Sequence, residues 1–162
     1  MSDEELMAKA GKFRRNLLNF FWRSGVSPFE GEDLVQETYL RLWKYRREYK
    51  PTAKLSTFLF LLARQVRLDA LRSDTRRERR EREWGSGRTD VQEAAPVGER
   101  EDVRRAVARL PESMREVVEL GVFQDLPYAE VSEILGIPVG TVKSRMYNAI
   151  RKLKEMLDDK GP

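Results

Sequence analysis

The chain has 162 residues, is 40% hydrophobic and 36% charged, carries a net charge of +4, and contains neither cysteine nor histidine. This composition excludes disulfides, thiolate zinc sites and catalysis by cysteine or histidine, and the length suits one domain or two small ones. No apolar run approaches a membrane span and the N-terminus is polar, so we expect a cytoplasmic chain without membrane insertion or a signal peptide.

The N-terminal segment predicts one amphipathic helix. Ser2 and Glu5 form a capping signature at its start. Apolar residues then recur at helical spacing, namely Leu6, Phe13, Leu17, Phe20 and Phe21. The helix is expected to end near Gly25.

A second helix is predicted from Ser27 and Pro28 to about Tyr49, because proline fits the first helical turn. Its candidate inner positions are Leu34, Tyr39, Leu40 and Trp43. Its polar face carries Asp33, Gln36, Glu37, Arg41 and Lys44. Mixed charge on a helix is typical of a solvated surface, so the residues alone favour a structural role for this face.

Lys50 and Pro51 end the second helix, because proline disfavours helix for the residue before it. Either Ser56 or Thr57 can cap a third helix. This helix is apolar up to Ala63 and rich in arginine from there to residue 83. The change predicts a buried first part followed by a charged rod that can lie along a phosphate backbone.

Residues 84–98 are rich in Gly, Ser, Pro and acids, which is typical of a linker. Helical spacing resumes with Val103 and Val107, and Leu110-Pro111 restarts a helix. The predicted domains are therefore 1–83 and 99–162, joined by 84–98. The sequence has no alternating strand pattern and no phosphate-binding glycine loop, so the predicted class is all-α, with two small helical domains and a flexible linker.

The segment from Pro127 to Leu157 predicts a helix-turn-helix in the second domain. Its first helix should run from Tyr128 to Leu135, with Gly136 closing it in the left-handed conformation, and its second should begin about Val139. The inner face of the second helix is predicted to be Val142, Met146, Ile150, Leu153 and Leu157. Its outer face offers donors and charges suited to phosphates and base edges, namely Thr141, Lys143, Ser144, Arg145, Tyr147, Asn148, Arg151 and Lys152.

Charge polarises this second domain. Residues 99 to 133 hold nine acids and five bases, whereas residues 139 to 157 hold five bases and one acid. One face can therefore meet DNA and another a different partner. A helical hairpin with a solvated basic face is the alternative interpretation.

Three segments in register resemble sigma factors of bacterial RNA polymerase, most of all the small two-domain extracytoplasmic-function (ECF) group. They are DLVQETYLRLW at residues 33 to 43, STFLFLLARQVRLDALR at 56 to 72, and LPESMREVVEL at 110 to 120 followed by the helix-turn-helix. The resemblance covers nearly the whole chain. It implies a dissociable subunit that binds core RNA polymerase and directs promoter recognition, DNA melting and transcription initiation, with no cofactor, no metal and no catalytic activity of its own.

The resemblance implies three sets of contact residues. The helix that docks on the clamp coiled coil of the largest polymerase subunit is matched by Asp33, Leu34, Gln36, Glu37, Leu40, Arg41 and Trp43, which replaces the structural interpretation of that face. The segment that opens and reads the minus-ten element is matched by Lys54, Ser56, Phe58, Arg64, Gln65, Arg67, Asp69 and Arg72. The helix that reads the minus-thirty-five element is matched by Thr141, Lys143, Ser144, Arg145, Tyr147, Asn148 and Arg151. Aromatic rings and arginines suit unstacked bases and backbone.

The sequence departs from the family pattern at a few positions. Phe58 stands where the family usually has Trp, Gln65 where Asn is frequent, and Ser132 where a small Ala is usual. An aromatic ring and an amide remain available for melting. Only DDKGP follows Leu157, so we do not expect the additional C-terminal domains of some relatives.

The expected partners are core RNA polymerase, promoter DNA and an anti-sigma factor, which in many family members is membrane-bound. The chain itself is expected to act as a monomer or in a 1:1 complex. A stand-alone helix-turn-helix transcriptional regulator is the alternative, and it would need a ligand pocket or a dimer interface. A carboxylate-metal nuclease would need clustered acids, whereas Asp33, Glu37 and Asp69 are scattered among basic residues.

Overall fold

The computed structural model of the chain describes residues 1–50, 54–84 and 100–158. Within these ranges the protein is helical and contains no strand, which confirms the all-α class. The helices are α1 (Asp3–Gly11), α2 (Arg14–Arg23), α3 (Pro28–Lys44), α4 (Leu55–Trp84), α5 (Glu101–Arg109), α6 (Glu112–Val118), α7 (Tyr128–Leu135) and α8 (Val139–Asp158). A π-helical turn, Glu119–Phe123, continues α6.

The N-terminal segment forms two helices, so the expected single helix is wrong. Ser2 does cap α1, since its Oγ accepts the N–H of Glu5 at 3.1 Å. The chain then turns at Lys12 and Phe13, where the N–H of Phe13 donates to the carbonyl of Ala10 at 3.0 Å. This three-residue turn places the half-buried Phe13 against the core, ahead of the buried aromatic residues of α2.

Helix α3 begins as expected, with the Ser27 Oγ accepting the N–H of Glu30 at 3.0 Å, but it ends at Lys44. Two of its predicted inner residues are wrong, because Leu40 is 64% and Trp43 45% exposed. The buried positions of this stretch are instead Val35, Thr38 and Leu42. These three recur at helical spacing, and the buried hydroxyl of Thr38 donates a hydrogen bond to the carbonyl of Leu34.

Helix α4 begins at Leu55, so Ser56 and Thr57 lie inside its first turn and do not cap it. The Thr57 hydroxyl is buried and has no hydrogen-bond partner among the described residues. The core positions of α4 are Leu59, Phe60, Leu62, Ala63 and Val66. The helix includes Trp84, the first residue of the predicted linker, and the rest of that linker, 85–98, lies outside the described residues.

The helix-turn-helix is confirmed, with α7 and α8 at the predicted boundaries. Gly136 has a φ of +67°, and its N–H donates to the carbonyl of Ser132 at 2.9 Å. The buried stripe of α8 is Val142, Met146 and Ala149, with Leu153 and Leu157 half-buried. Ile150 was expected inside but lies at the border of this stripe, 36% exposed.

The N-terminal half (α1 to α4) and the C-terminal half (α5 to α8) pack against each other. Helix α4 packs on α7, and α2 packs on α5. Buried residues of both halves belong to one continuous apolar cluster. Among the described residues, none of the helices combines the length and the apolar character needed to span a bilayer.

Candidate functional site

The basic face of α8 is open to solvent. The seven residues predicted for minus-thirty-five recognition all lie on this helix, four of them exposed (Lys143, Ser144, Tyr147 and Arg151) and three half-buried (Thr141, Arg145 and Asn148). Within the described part of the chain, the three cations of this set have no acidic partner. A helix that presents such cations along one face is suited to enter the major groove of DNA.

The predicted polymerase-docking face of α3 presents apolar side chains to solvent. Leu40 and Trp43 are among the most exposed large apolar residues of the protein. The guanidinium of Arg46 lies over the Trp43 ring, 3.9 Å from its centroid, and supports it. A groove of about 460 Å³ runs beside them, lined by Glu37, Leu40, Arg41, Lys44, Tyr45 and Asp69. The other members of the set show the mixed exposure of a surface helix, with Asp33 and Gln36 exposed and Leu34 half-buried.

Asp69 connects two of the predicted sets. Its Oδ2 accepts a hydrogen bond from Nη2 of Arg41 at 2.8 Å, and Nε of Arg41 also donates to Oε1 of Glu37 at 3.2 Å. Burial acts to lower the pKa of Arg41, but the hydrogen bonds and charges of Asp69 and Glu37 outweigh burial, and the pKa is raised. Asp69 was assigned to the minus-ten set, and the structure places it beside the docking face of α3.

Two arginines of the minus-ten set are paired with acids of the C-terminal half. Nη1 of Arg67 donates to Oε1 of Glu112 at 2.7 Å and lies 3.9 Å from Oε1 of Glu116. Nε of Arg64 donates to Oε1 of Glu116 at 3.2 Å. Arg67 is only 5% exposed. The carboxylates of α6 therefore occupy Nη1 of Arg67 and Nε of Arg64, donors that a nucleic-acid backbone would use, whereas Nε of Arg67 is buried without a hydrogen-bond partner among the described residues.

The other members of the minus-ten set have varied surroundings. Nζ of Lys54 lies 2.9 Å from Oε1 of Glu130 on α7, although the lysine side chain is 67% exposed. The half-buried Phe58 packs on Tyr49, with ring centroids 5.5 Å apart, so its ring is not free to stack on a base in this arrangement. Two further members, Gln65 and Arg72, are exposed on α4, and Ser56 is half-buried.

A buried ion pair also joins the two halves. Nε and Nη2 of Arg23 donate to the two carboxylate oxygens of Glu119 at 2.6 and 2.8 Å, and the side chains are 5% and 2% exposed. The Arg23 guanidinium lies 4.1 Å from the centroid of the Phe123 ring. Nε2 of Gln124 donates to Oε1 of Glu119 at 3.0 Å and to the carbonyl of Asn16 at 3.3 Å. Glu119 therefore has the bidentate partner and additional donor that a buried carboxylate requires.

Burial and pairing shift the pKa values of the interface acids in opposite directions. Burial raises the pKa of Glu119, although Arg23 acts to lower it. The hydrogen bond from Arg67 lowers the pKa of Glu112, and burial opposes this shift. Glu112 therefore stabilises the packing of the halves above its usual pKa of 4.5 and loses this contribution as the pH falls.

Four acids of the C-terminal half that meet bases of the N-terminal half were not among the predicted site residues. We call them the acidic edge, namely Glu112, Glu116, Glu119 and Glu130. The excess of acids between residues 99 and 133 is visible in the sequence, but periodicity does not tell which acid meets which base in the other half. Glu119 is the hardest case, because it is fully buried in a π-helical turn that shifts the helical register. In the described ranges, no group of three or more acidic side chains is arranged to hold a metal ion.

Two protein-family models match the chain. The model described as "Sigma-70 region 2" matches residues 10–77, and "Sigma-70, region 4" matches residues 100–153. The chain is 32% identical over 146 residues to the ECF RNA polymerase sigma factor RpoE of Cereibacter sphaeroides, over 88% of this chain and 81% of the relative. It is 32% identical over 134 residues to the ECF RNA polymerase sigma factor SigK of Mycobacterium ulcerans, over 78% and 72% of the two chains.

Solved structures share the fold across both halves. The sigma factor RpoE of Bartonella quintana, in a co-crystal with the anti-sigma factor NepR, matches with a TM-score of 0.82 at 23% identity, over 97% of this chain and 99% of that chain. CnrH, in complex with the cytosolic domain of CnrY, matches with a TM-score of 0.71 at 20% identity, over 98% and 99% of the two chains.

Proposed function

The chain belongs to the ECF group of sigma-70-type RNA polymerase sigma factors, and from this membership we propose which of its faces carries each step of promoter recognition. As a sigma factor, it binds core RNA polymerase and directs the enzyme to promoter DNA. Sigma factors as a family are not enzymes. We extend this to the present chain, with the polymerase doing the chemistry in the cytoplasm.

In our proposal, residues 1–83 dock on the polymerase clamp and read the minus-ten element, and residues 99–162 read the minus-thirty-five element. Residues 84–98 connect the two domains. The observation that carries the proposal is that each half offers one exposed contact face, on α3 in the first half and on α8 in the second. Each of these faces falls within one of the two matched family regions.

The docking role rests on the α3 face. Exposed Leu40 and Trp43 beside the charged groups Glu37 and Arg41 form an apolar centre with a polar rim, which is the usual anatomy of a protein interface. The resemblance of residues 33 to 43 to the family's docking helix implies that this face meets the clamp. We therefore propose that Trp43 is an anchor residue in the complex with core polymerase.

The DNA-binding roles rest on α4 and α8. The exposed amide of Gln65 suits a melted strand, as do the arginines and the Phe58 ring once they leave Glu112, Glu116 and Tyr49, and the open basic face of α8 suits duplex DNA. We propose that the residues matched on α4 contact the minus-ten strand and that those on α8 contact the minus-thirty-five duplex.

We further propose that an anti-sigma factor regulates this chain. The support is that a solved relative of the same fold was captured with such a partner. A partner of this kind would compete with core polymerase for the exposed faces. The purified pair should then be inactive in transcription, and full activity of the pair would contradict the proposal.

The docking proposal is tested by titrating core polymerase with a fluorescently labelled chain. Trp43→Ala should bind core about 30-fold more weakly, because an aromatic anchor contributes about 2 kcal/mol or more. Phe29→Ala is the matched control, since Phe29 is an aromatic residue of the same helix, 82% exposed and outside the docking set. Equal affinities of the two variants would contradict the docking role of α3. Arg41 is a poorer target, because its loss also breaks the contact with Asp69.

The proposed function as a whole is tested by run-off transcription. Core polymerase and the purified chain are combined on a library of random promoters. Transcripts that start at sites sharing two spaced elements are expected. Transcription that does not depend on the added chain would overturn the proposal.

A further inference from the structure

Trp43 lies in the last turn of α3 with its side chain turned to solvent, 45% exposed. An exposed ring that nothing restrains samples several rotamers, and fixing one of them opposes binding. In this chain the ring is restrained by Arg46, which lies outside the polymerase-binding set. We propose that Arg46 is a positioning residue, which holds the Trp43 ring ready for core polymerase. This inference rests on the proposed docking role of Trp43.

Arg46 contacts both the ring and the backbone of Trp43. Its guanidinium carbon lies 3.9 Å from the centroid of the ring, within the range of a cation–π contact. Its Nη1 donates to the carbonyl of Trp43 at 2.7 Å. A planar guanidinium that is hydrogen-bonded to the backbone of a residue and stacked on the ring of the same residue restricts the rotation of that ring.

Arg46 is held in turn by the N-terminal helix. Its Nε lies 3.1 Å from Oδ2 of Asp3 on α1, and its side chain is only 21% exposed. Helix α1 is also joined to α3 by Tyr39, whose hydroxyl donates to the carbonyl of Ala10 at 3.0 Å. The guanidinium is therefore fixed between α1 and the end of α3. The entropy of ordering this long side chain is lost on folding, and core polymerase does not have to offset it on binding.

Two other roles suit an arginine at this position. Arg46 could only satisfy the carbonyls at the C-terminus of α3, as basic residues often do. This role accounts for the bond to the Trp43 carbonyl but not for the stacking on its ring. Alternatively, Arg46 could bind polymerase directly, but its guanidinium already lies between the ring and Asp3. The positioning role accounts for all three contacts, and the experiments below separate it from the other two.

The first test measures the affinity of the full chain for core polymerase by fluorescence titration. Arg46→Met keeps a long side chain but removes the guanidinium. It should bind core about two- to fivefold more weakly, which corresponds to the loss of one cation–π contact at an exposed ring. Arg47→Met is the matched control, because Arg47 is exposed and has no ion-pair or ring partner among the described residues. Equal affinities of the two variants would overturn the proposal.

A double-mutant cycle shows whether Arg46 acts through the ring. When Trp43→Ala is already present, Arg46→Met should weaken core binding no further, because there is no ring left to position. If instead the two losses multiply, Arg46 contacts polymerase independently of Trp43. That result would overturn the positioning role.

The second test observes the ring in the free chain. The chain has three tryptophans, so Trp22→Phe combined with Trp84→Phe leaves Trp43 as the only one. In this background, Arg46→Met should increase the quenching of Trp43 fluorescence by acrylamide and add a fast component to its anisotropy decay, whereas Arg47→Met should change neither. Unchanged quenching and decay in Arg46→Met would overturn the proposal. A freed ring that is accompanied by a loss of helix content in far-UV circular dichroism would also overturn it, because Arg46 would then act by capping α3.

The affinity of Trp43→Ala for core separates this inference from the proposed function. If Trp43→Ala binds core as the parent chain does, the docking role of Trp43 fails, and the positioning role of Arg46 fails with it. If Trp43→Ala binds weakly but Arg46→Met binds like Arg47→Met, the docking role stands and only the positioning role of Arg46 is refuted.

Discussion

Helices α4 and α8 carry similar basic faces but lie in different surroundings. On α8, Lys143 and Arg145 have no acidic partner in the described part of the chain. On α4, Arg64 and Arg67 are held by carboxylates of the other half. A run of basic residues on a helix therefore indicates what the face can bind, but its accessibility depends on what packs over it.

The largest effect on the difference between covered α4 and open α8 is expected from removing Glu119, the buried acid at the interface between the halves. Glu119→Ala should lower the free energy of unfolding, measured in urea, by about 3 kcal/mol or more, because it leaves Arg23 buried without a partner. If the halves separate instead, Arg23 regains water. The measured loss is then limited to the free energy with which the two halves pack against each other. In both cases the packing over α4 is weakened.

Two further variants check the cause of that loss. Glu133→Ala removes an exposed acid of α7 and should change stability by no more than about 0.5 kcal/mol. Arg23→Met combined with Glu119→Leu should recover most of the stability lost in Glu119→Ala, since neither charge is then buried. A double variant as unstable as the single one would show that packing, and not the orphaned charge, causes the loss.

A loss of promoter binding of intermediate size is expected from substitutions on the open face of α8. If Arg145 makes a bidentate contact to a base, Arg145→Ala should cost about 1 to 3 kcal/mol and relax the preference at one promoter position. Lys143→Ala is the comparison, because loss of a phosphate contact weakens all sequences alike. The measurement is a specificity profile of the holoenzyme on randomised minus-thirty-five elements. A profile for Arg145→Ala identical to that of the parent chain would rule out base recognition by this residue.

Features encoded by residues close together in the sequence could be predicted, and contacts between distant residues could not. The helix-turn-helix was predicted with its boundaries because a turn glycine at Gly136 and a proline at Pro138 are local signals. The Arg23–Glu119 pair joins residues 96 positions apart, and no local pattern encodes it. The basic outer face of α8 could therefore be predicted from its local pattern, whereas the ion pairs that cover Arg64 and Arg67 on α4 could not.

The apolar residues of α3 show a second limit. Leu40 and Trp43 were expected inside because hydrophobic residues usually are, yet a docking face uses the same residue types at the surface. The family resemblance assigned these two residues to the polymerase, and their exposure is consistent with that role. Hydrophobic periodicity alone could not separate a core stripe from an interface stripe on this helix.

The smallest effect is expected at Ile150, which lies at the border between the buried and open faces of α8. Ile150 was predicted to be buried, but Ala149 takes that place, and Ile150 lies beside the proposed DNA-binding face. Ile150→Ala should therefore cost about 1 kcal/mol or less, whereas Met146→Ala, at a buried position of the same helix, should cost about 2 to 5 kcal/mol. Thermal unfolding of the two variants measures the difference. Equal losses would mean that Ile150 is part of the core, and the recognition face of α8 would then be narrower than the structure indicates.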